Sequence, residues 1–390
     1  MKKWTNLINK DKAQRPYWMP KKAIYLLAAV FTFVCIITGC GLLQSGEEAQ
    51  PYVPDDEEIT SDIDMDSDDY EEDLPNPWES TPHGEIAIQY ITHMDTHLYR
   101  RPGFTYRELD TAMWIQDTLL DMGFSQQDIE VQSFAPADIE ERFGAPYEYF
   151  FEQHSAMYAF ADRQYRDYSQ NVILTIPGES DQVIVVGAHY DTLGSENESG
   201  NGASNNASGV GLLLESAQRM RYLDHYYTLV YVFFGAEEMY QLGSYHYVNT
   251  LSSSEQDNIL FMTNADVLFD GSYLIYIAGA YEDYRRVDNE LTRTWDNLAQ
   301  DLSAEHDIEL IPYPEGMDRL ITDHIVFYEA GITVLYFGGL DRTEEGVFAT
   351  RIHHTLEDNL DYIMSRWPDK VEHNMWAFSI FLEEVLLYSY

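Results

Sequence analysis

The strongest constraint on the fold of this chain is a set of short, nearly all-apolar segments separated by stretches of helical character. "QVIVVGAH" (182–189), "YTLVYVFF" (227–234) and "ILFMTNA" (259–265) have the length of strands and scarcely alternate in polarity. A strand with one wet face alternates, whereas one covered on both faces does not. Between them, "SGVGLLLESAQRM" and "LGSYHYVNTL" read as helices. This alternation predicts an α/β fold: a single domain on a mostly parallel, mixed β-sheet flanked by helices on both faces. Upstream, "TYRELDTAMWIQDTLLDMGF" is expected to be a helix with Leu109, Met113, Ile115, Leu119 and Leu120 on its apolar side, stopping at Gly123. "IEVQSF" reads as a strand, and "NVILTI" as the first arm of a hairpin with the strand beyond the next Pro-Gly. Downstream come a strand "YLIYIAG", a long helix from about Glu282, a strand "ITVLYFGG" and a last helix ending at Leu387. Residues 137–168 are Tyr-rich and aperiodic, an expected surface excursion.

The first 80 residues are of another kind. Lys21 and Lys22 precede the apolar run "AIYLLAAVFTFVCII", which ends in Thr38-Gly39-Cys40. A basic flank, a short apolar core and small residues ahead of a processing point describe a secretory signal over 1–39. Ile37 to Cys40 resembles a bacterial lipobox, which would make Cys40 the lipidated first residue of an extracytoplasmic, membrane-anchored protein. Extended through Leu43, the same run nears the ~20 residues of a spanning helix, so an uncleaved anchor is the alternative. The other cysteine, Cys35, lies inside the signal, so the mature domain has no disulfide to form. From Gly41 to Tyr99 there is no Lys or Arg, and "DDEEITSDIDMDSDDYEEDLPNP" repels itself. Residues 40–80 are therefore expected to be an extended acidic tether, with a folded domain over 81–390. Asp62, Asp64, Asp66 and Asp73 have the spacing of a calcium loop, but Ser67 replaces its turn glycine and no helices flank it. The formal charge of −44 argues against nucleic acid as a partner.

In parallel sheets, ligands gather beyond the carboxyl ends of the strands. Here the apolar segments end in polar clusters: His189 and Asp191 in "GAHYD", Glu237 and Glu238 in "GAEE", Asp266 in "NAD". "RIHHTLED" adds His353 and His354. Imidazole with carboxylate is a nitrogen and oxygen donor set suited to zinc. His93 and His97, four apart in "HMDTH", fall far from these clusters and are expected to pack or face solvent.

The ordered series "HYD", "GASNNASG", "GAEE", "NAD" and "HTLED" resembles the co-catalytic zinc aminopeptidases of peptidase family M28, over about residues 84–388. The resemblance implies His189, Glu238, Asp266 and His354 as metal ligands, and Glu237 as the general base that takes a proton from metal-bound water. Asp191 would fix the tautomer of His189. Asp323-His324 resembles a substrate-side motif. The family's bridging aspartate falls on Asn205, which offers one good oxygen and no charge, and its neighbours Ser204 and Asn206 do not replace it. One zinc is therefore expected where the resembled family holds two; Glu196 and Glu198 are the nearest carboxylates that could fold in. The implied activity is removal of N-terminal residues from extracellular peptides or proteins. A peptidase-fold binding protein and a one-zinc glutaminyl cyclase are the alternatives.

Overall fold

The computed structural model describes residues 76–135, 166–193, 200–279, 281–282, 285–286, 288–313, 321–344 and 348–389. All of these lie in one contact unit, Tyr70–Tyr390. The signal, Cys40, most of the tether, residues 137–165 of the Tyr-rich segment, Glu196 and Glu198 lie outside the described residues.

The elements run α1 (Glu85–His97), α2 (Tyr106–Asp121), β1 (Ile129–Phe134), β2 (Ser169–Ile176), β3 (Ser180–His189), α3 (Ser208–Met220), β4 (Tyr227–Phe234), α4 (Leu242–Thr250), α5 (Ser253–Asn258) and β5 (Ile259–Ala265). They continue as β6 (Tyr273–Ala278), β7 (Tyr281–Glu282), β8 (Arg285–Arg286), α6 (Glu290–His306), β9 (Leu310–Pro312), α7 (His324–Glu329), β10 (Val334–Arg342), β11 (Phe348–Ala349), α8 (Leu360–Arg366) and α9 (Lys370–Leu387). The main sheet has the order β1-β2-β4-β3-β5-β10-β6-β9, with β11 paired to β10. The four central strands β4, β3, β5 and β10 are mutually parallel, and antiparallel pairs flank them on each side.

Strand β3 shows why the sequence reads as it does. Ile184, Val186 and Ala188 enter the larger core beneath α1, α3 and α9, while Val185 enters the core under α4 and α7. With both faces covered, both parities must be apolar. Gly187 faces a tight contact: a Cβ there would lie 2.6 Å from Met262 Cε and 2.7 Å from a Phe234 ring carbon.

The structure departs from the sequence reading in three places. β2 and β3 form no hairpin, because β4 lies between them, antiparallel to β2 and parallel to β3. The Pro177-Gly178 turn crosses the start of β4 instead, with the Gly178 N–H donated to Thr228 Oγ1 at 3.2 Å and the Ser180 N–H to the Tyr226 carbonyl at 2.7 Å. The long helix begins at Glu290 rather than Glu282: residues 281–282 and 285–286 pair as a short ladder, and Asn289 caps the helix reciprocally with Thr292. In α2 the buried residues are Glu108, Thr111, Ala112, Ile115 and Leu119, whereas Met113 is 53% exposed. A buried carboxylate displaces the stripe from where side-chain polarity alone would put it.

Candidate metal and catalytic site

β4, β3 and β5 are adjacent and parallel, so their carboxyl ends open at one edge of the sheet. That geometry brings together His189, the Glu237-Glu238 turn after β4 and Asp266 after β5. Asn205 arrives on the irregular segment before α3, its backbone held in place by Asp358, whose carboxylate accepts the N–H groups of Ser204 (2.6 Å) and Asn205 (3.0 Å). His354 arrives on the loop after β11. Asp270 pins that loop by accepting the N–H groups of Arg351 (2.8 Å), Ile352 (2.6 Å) and His353 (3.3 Å).

The cluster divides into two halves joined by Asn205. In the first, His189 Nε2 lies 3.3 Å from Asp266 Oδ1 and 3.0 Å from Asn205 Oδ1. Ligands about 2.0–2.1 Å from a tetrahedral ion stand about 3.3 Å apart; the His189–Asp266 pair has that spacing, and the His189–Asn205 pair is drawn slightly closer as a hydrogen bond. Asp266 Oδ1 is buried and, among the described residues, accepts no hydrogen bond. Three donor atoms so placed, one of them an orphaned carboxylate oxygen, fit a zinc ion. In the second half, Glu238 Oε1 takes hydrogen bonds from Asn205 Nδ2 at 2.5 Å and from His354 Nε2 at 2.8 Å. Those atoms are drawn together as bonded pairs. Glu238, His353 and His354 nonetheless offer three ligand atoms within 4.8 Å of one another. His353 stacks on His354 with ring centres 3.6 Å apart, so the two rings face each other rather than converge in-plane on one point.

Asp191 is fully buried and braces both His189 and the Glu237-Glu238 turn. It lies 3.4 Å from His189 Nδ1 and accepts the backbone N–H groups of Glu237 (2.9 Å) and Glu238 (3.2 Å). Electrostatics separate the adjacent glutamates. Burial pushes the Glu237 carboxyl well above its ordinary range, with Asp323, Glu238 and Asp266 adding to the effect against the pull of His189. Burial raises the Glu238 pKa, but His354, by its charge and hydrogen bond, together with His189 and His353 outweighs it and brings the pKa down to about 2. Burial disfavours a charged His189, yet Glu237, Asp191 and Asp266 together push its pKa well up. A cluster that retains protons in this way has an excess of negative charge that a cation can neutralise in their place.

A cavity of about 350 Å³ opens on the cluster; Asn205, Glu237, Glu238, Asp266, His353 and His354 line it with Tyr240, Gln241, Val267, Ile321, Thr322, Tyr336 and Thr350. Asp323 and His324 are buried beside it without lining it; Ile321 and Thr322 do so instead. Among the described residues no hydrogen bond of ordinary geometry reaches either Asp323 oxygen, and burial pushes its pKa up to about 7, partly offset by His189. Burial brings His324 down to about 4. His93 stacks on Trp114 at 4.9 Å.

Two positioning residues escaped the sequence reading. Arg101 is fully buried and donates to four backbone carbonyls, those of Tyr190, Leu98 (3.3 Å), Asn201 (2.9 Å) and Gly202 (3.0 Å), tying the His189–Asp191 segment to the one carrying Asn205. Glu108 accepts from the Phe104 N–H (2.6 Å), the Ser169 hydroxyl (2.6 Å) and the Ala236 N–H (3.0 Å), the last immediately before Glu237. Apart from Leu98 and Phe104, their partners lie far away along the chain, and no local motif announces them. Glu108→Gln turns one acceptor into a donor facing donors, and is expected to cost about 1–3 kcal/mol of stability. Urea unfolding of the purified variant measures this; an unchanged midpoint would show that the network re-forms around the amide.

Residues 171–379, more than half of the chain, match peptidase family M28. The chain belongs to that family. Among curated relatives, aminopeptidase YwaD of Bacillus subtilis is 26% identical over 185 residues, 46% of this chain and 37% of that protein. Leupeptin-inactivating enzyme 1 of Streptomyces exfoliatus is 29% identical over 226 residues, 53% of this chain and 48% of that protein. The chain thus spans less than half the length of these two relatives. The zinc aminopeptidase BSAP from Bacillus subtilis superposes with a TM-score of 0.58 at 16% identity, covering 78% of this chain and 95% of that one. A glutaminyl cyclase from an Acidobacteriales bacterium gives 0.55 at 19% identity, covering 80% and 97%. At such identities the likeness is one of fold: a mixed sheet between helices. Arg101 and Glu108 precede the M28 match, so the segment ahead of it braces the site.

Proposed function

We propose that this protein is a zinc-dependent aminopeptidase, with His189, Asp266, Asn205, Glu238 and His354 around the metal and Glu237 as general base. The observation that carries the reading is the position of Glu237: its Oε2 lies 3.9 Å from His189 Nε2, at the edge of the donor cluster and facing the same cavity. When bound, zinc acidifies a water molecule and polarises the scissile carbonyl. Glu237 takes the proton released as the water adds to the carbonyl carbon, then delivers it to the amine that leaves as the C–N bond breaks. Asp191 holds His189 so that Nε2 faces Asp266 and Asn205, and by gripping the Glu237 N–H it keeps base and ligand in register. The test is hydrolysis of a panel of aminoacyl-nitroanilides and free peptides by the purified zinc-loaded protein. Release restricted to N-terminal residues supports the reading, and no turnover anywhere in the panel sinks it.

A second reading is supported by the single carbonyl oxygen of Asn205, which serves one metal rather than a bridged pair, and by the likeness to a glutaminyl cyclase fold. Cyclisation of N-terminal glutamine peptides without amide-bond hydrolysis would select it. A peptidase-fold binding protein is the third, and would hold peptide without turning it over.

The protein is further proposed to reside on the outer face of the cell membrane, anchored through lipid on Cys40 and spaced from it by the acidic tether. The support is "ITGC" after a basic-flanked apolar run. Cys40→Ser is expected to abolish metabolic palmitate labelling and change the processed size. Equal labelling of variant and wild type would remove the lipid anchor and leave the uncleaved helix.

A further inference from the structure

Gln241 grips Glu237 twice. Its side-chain Nε2 donates to Glu237 Oε1 at 3.0 Å, and its backbone N–H donates to the Glu237 carbonyl at 2.7 Å. The turn between them is built from uncommon conformations: Ala236, Tyr240 and Gln241 all have positive φ (51°, 71° and 58°) without being glycine. Such residues persist only where surrounding bonds over-determine the backbone, and they cluster where geometry matters to function. The Leu242 N–H, donated to the Ala236 carbonyl at 3.2 Å, closes the same turn. Gln241 is half-buried and lines the cavity beside Glu237.

The two oxygens of Glu237 consequently have different surroundings. Oε1 is occupied by the Gln241 amide, while Oε2 is the oxygen 3.9 Å from His189 Nε2. A carboxylate at the end of a flexible stem can present either oxygen, and a fixed donor on one removes that ambiguity. We propose that Gln241 is a positioning residue: it ties down Oε1 of Glu237 and so assigns Oε2 as the oxygen that takes the water's proton. The inference rests on the aminopeptidase reading, in which Glu237 is the base. Gln241 acts through Glu237 and touches no reacting atom.

The experiment is a double-mutant cycle on the zinc-loaded protein. Gln241→Met preserves length and removes the donor; Gln241→Asn keeps an amide but withdraws it by one methylene, and serves where the first variant fails to fold. Either is expected to lower kcat about tenfold or more, the scale of a misplaced catalytic group, with KM moved by less than about twofold. Bound zinc per chain and the melting temperature stay at wild-type values. In the Glu237→Gln background the same change has no further effect on the residual rate, because no carboxylate remains to be oriented. Unchanged kcat in an active wild-type framework overturns the inference alone. Equal loss in both backgrounds assigns Gln241 to substrate contact and overturns it, as does loss of zinc or of melting temperature in parallel with activity. An inactive wild type removes the aminopeptidase reading, and the inference with it.

Discussion

Glu237→Gln is expected to retain the wild-type zinc content and to lose at least about a hundredfold in turnover, the usual contribution of a general base. The structure gives the two adjacent glutamates different surroundings. Glu238 accepts from Asn205 and His354, so its carboxylate belongs to the donor cluster. Among the described residues the Glu237 side chain accepts a hydrogen bond only from Gln241, and its second oxygen faces the cavity. An amide at 237 keeps shape and the backbone bonds to Asp191 but cannot accept a proton at working pH. Glu238→Ala is expected to do the opposite and release the metal. It removes one of the two ligand-side carboxylates that balance a divalent charge, and it frees the Asn205 amide from the partner that orients it. Zinc analysis and steady-state kinetics on both variants check the pair. Wild-type hydrolysis by Glu237→Gln would take Glu237 out of the mechanism, and full zinc retention by Glu238→Ala would take Glu238 out of the metal site.

Asn205→Asp is expected to raise tightly bound zinc from about one ion per chain to about two. Two dications ~3.5 Å apart repel by about 19 kcal/mol even at an effective dielectric of about 20, so a pair needs an anion between them. Asn205 occupies that place between the halves, with Oδ1 toward His189 and Nδ2 donating to Glu238 Oε1 at 2.5 Å. An amide has one oxygen for a metal, and its nitrogen is no ligand, so whichever way it is turned one half goes without. In Asn205→Asp a carboxylate oxygen would confront Glu238 where an N–H now donates. Two like charges at that distance are tolerable only with a cation among them, and the second ion is drawn in to Glu238 and His354. Metal content after dialysis against a mild chelator, for wild type and variant side by side, is the measurement. Two tight ions already present in the wild type would show that another group supplies the bridge and would defeat the charge argument.

Much of the frame was legible because the physics that fixes it is local. β3, β4, β5 and β10 announce themselves by apolarity at both parities, which only a doubly covered strand requires. The helix α3 and the last helix show their periods, and the polar residues at the strand ends stand out against their apolar context. The false hairpin between β2 and β3 marks the limit: two apolar strands joined by Pro-Gly look alike whether adjacent or separated by a third strand, since which strand fills the gap depends on packing elsewhere. The misplaced face of α2 has the same origin. Glu108 looks like a solvent residue until Phe104, Ser169 and Ala236 are found donating to it.

The sequence by itself determined the fold class and the family, and it named the polar side chains that end the apolar strands, because residue types and their order along those strands carry that information. It also determined that residue 205 is an amide and brings no charge. Only the tertiary structure decided how those side chains divide: Asn205 turned with its oxygen to one half and its nitrogen to the other, Asp358 and Asp270 pinning the two loops, Arg101 and Glu108 reaching in from ahead of the family match, and Gln241 holding one oxygen of Glu237. Apart from the Gln241–Glu237 bond, which spans four residues, these are bonds between groups distant in the chain, and all are sensitive to fractions of an ångström. Such distances arise from the packing of whole strands and helices, and no local pattern in the sequence encodes them.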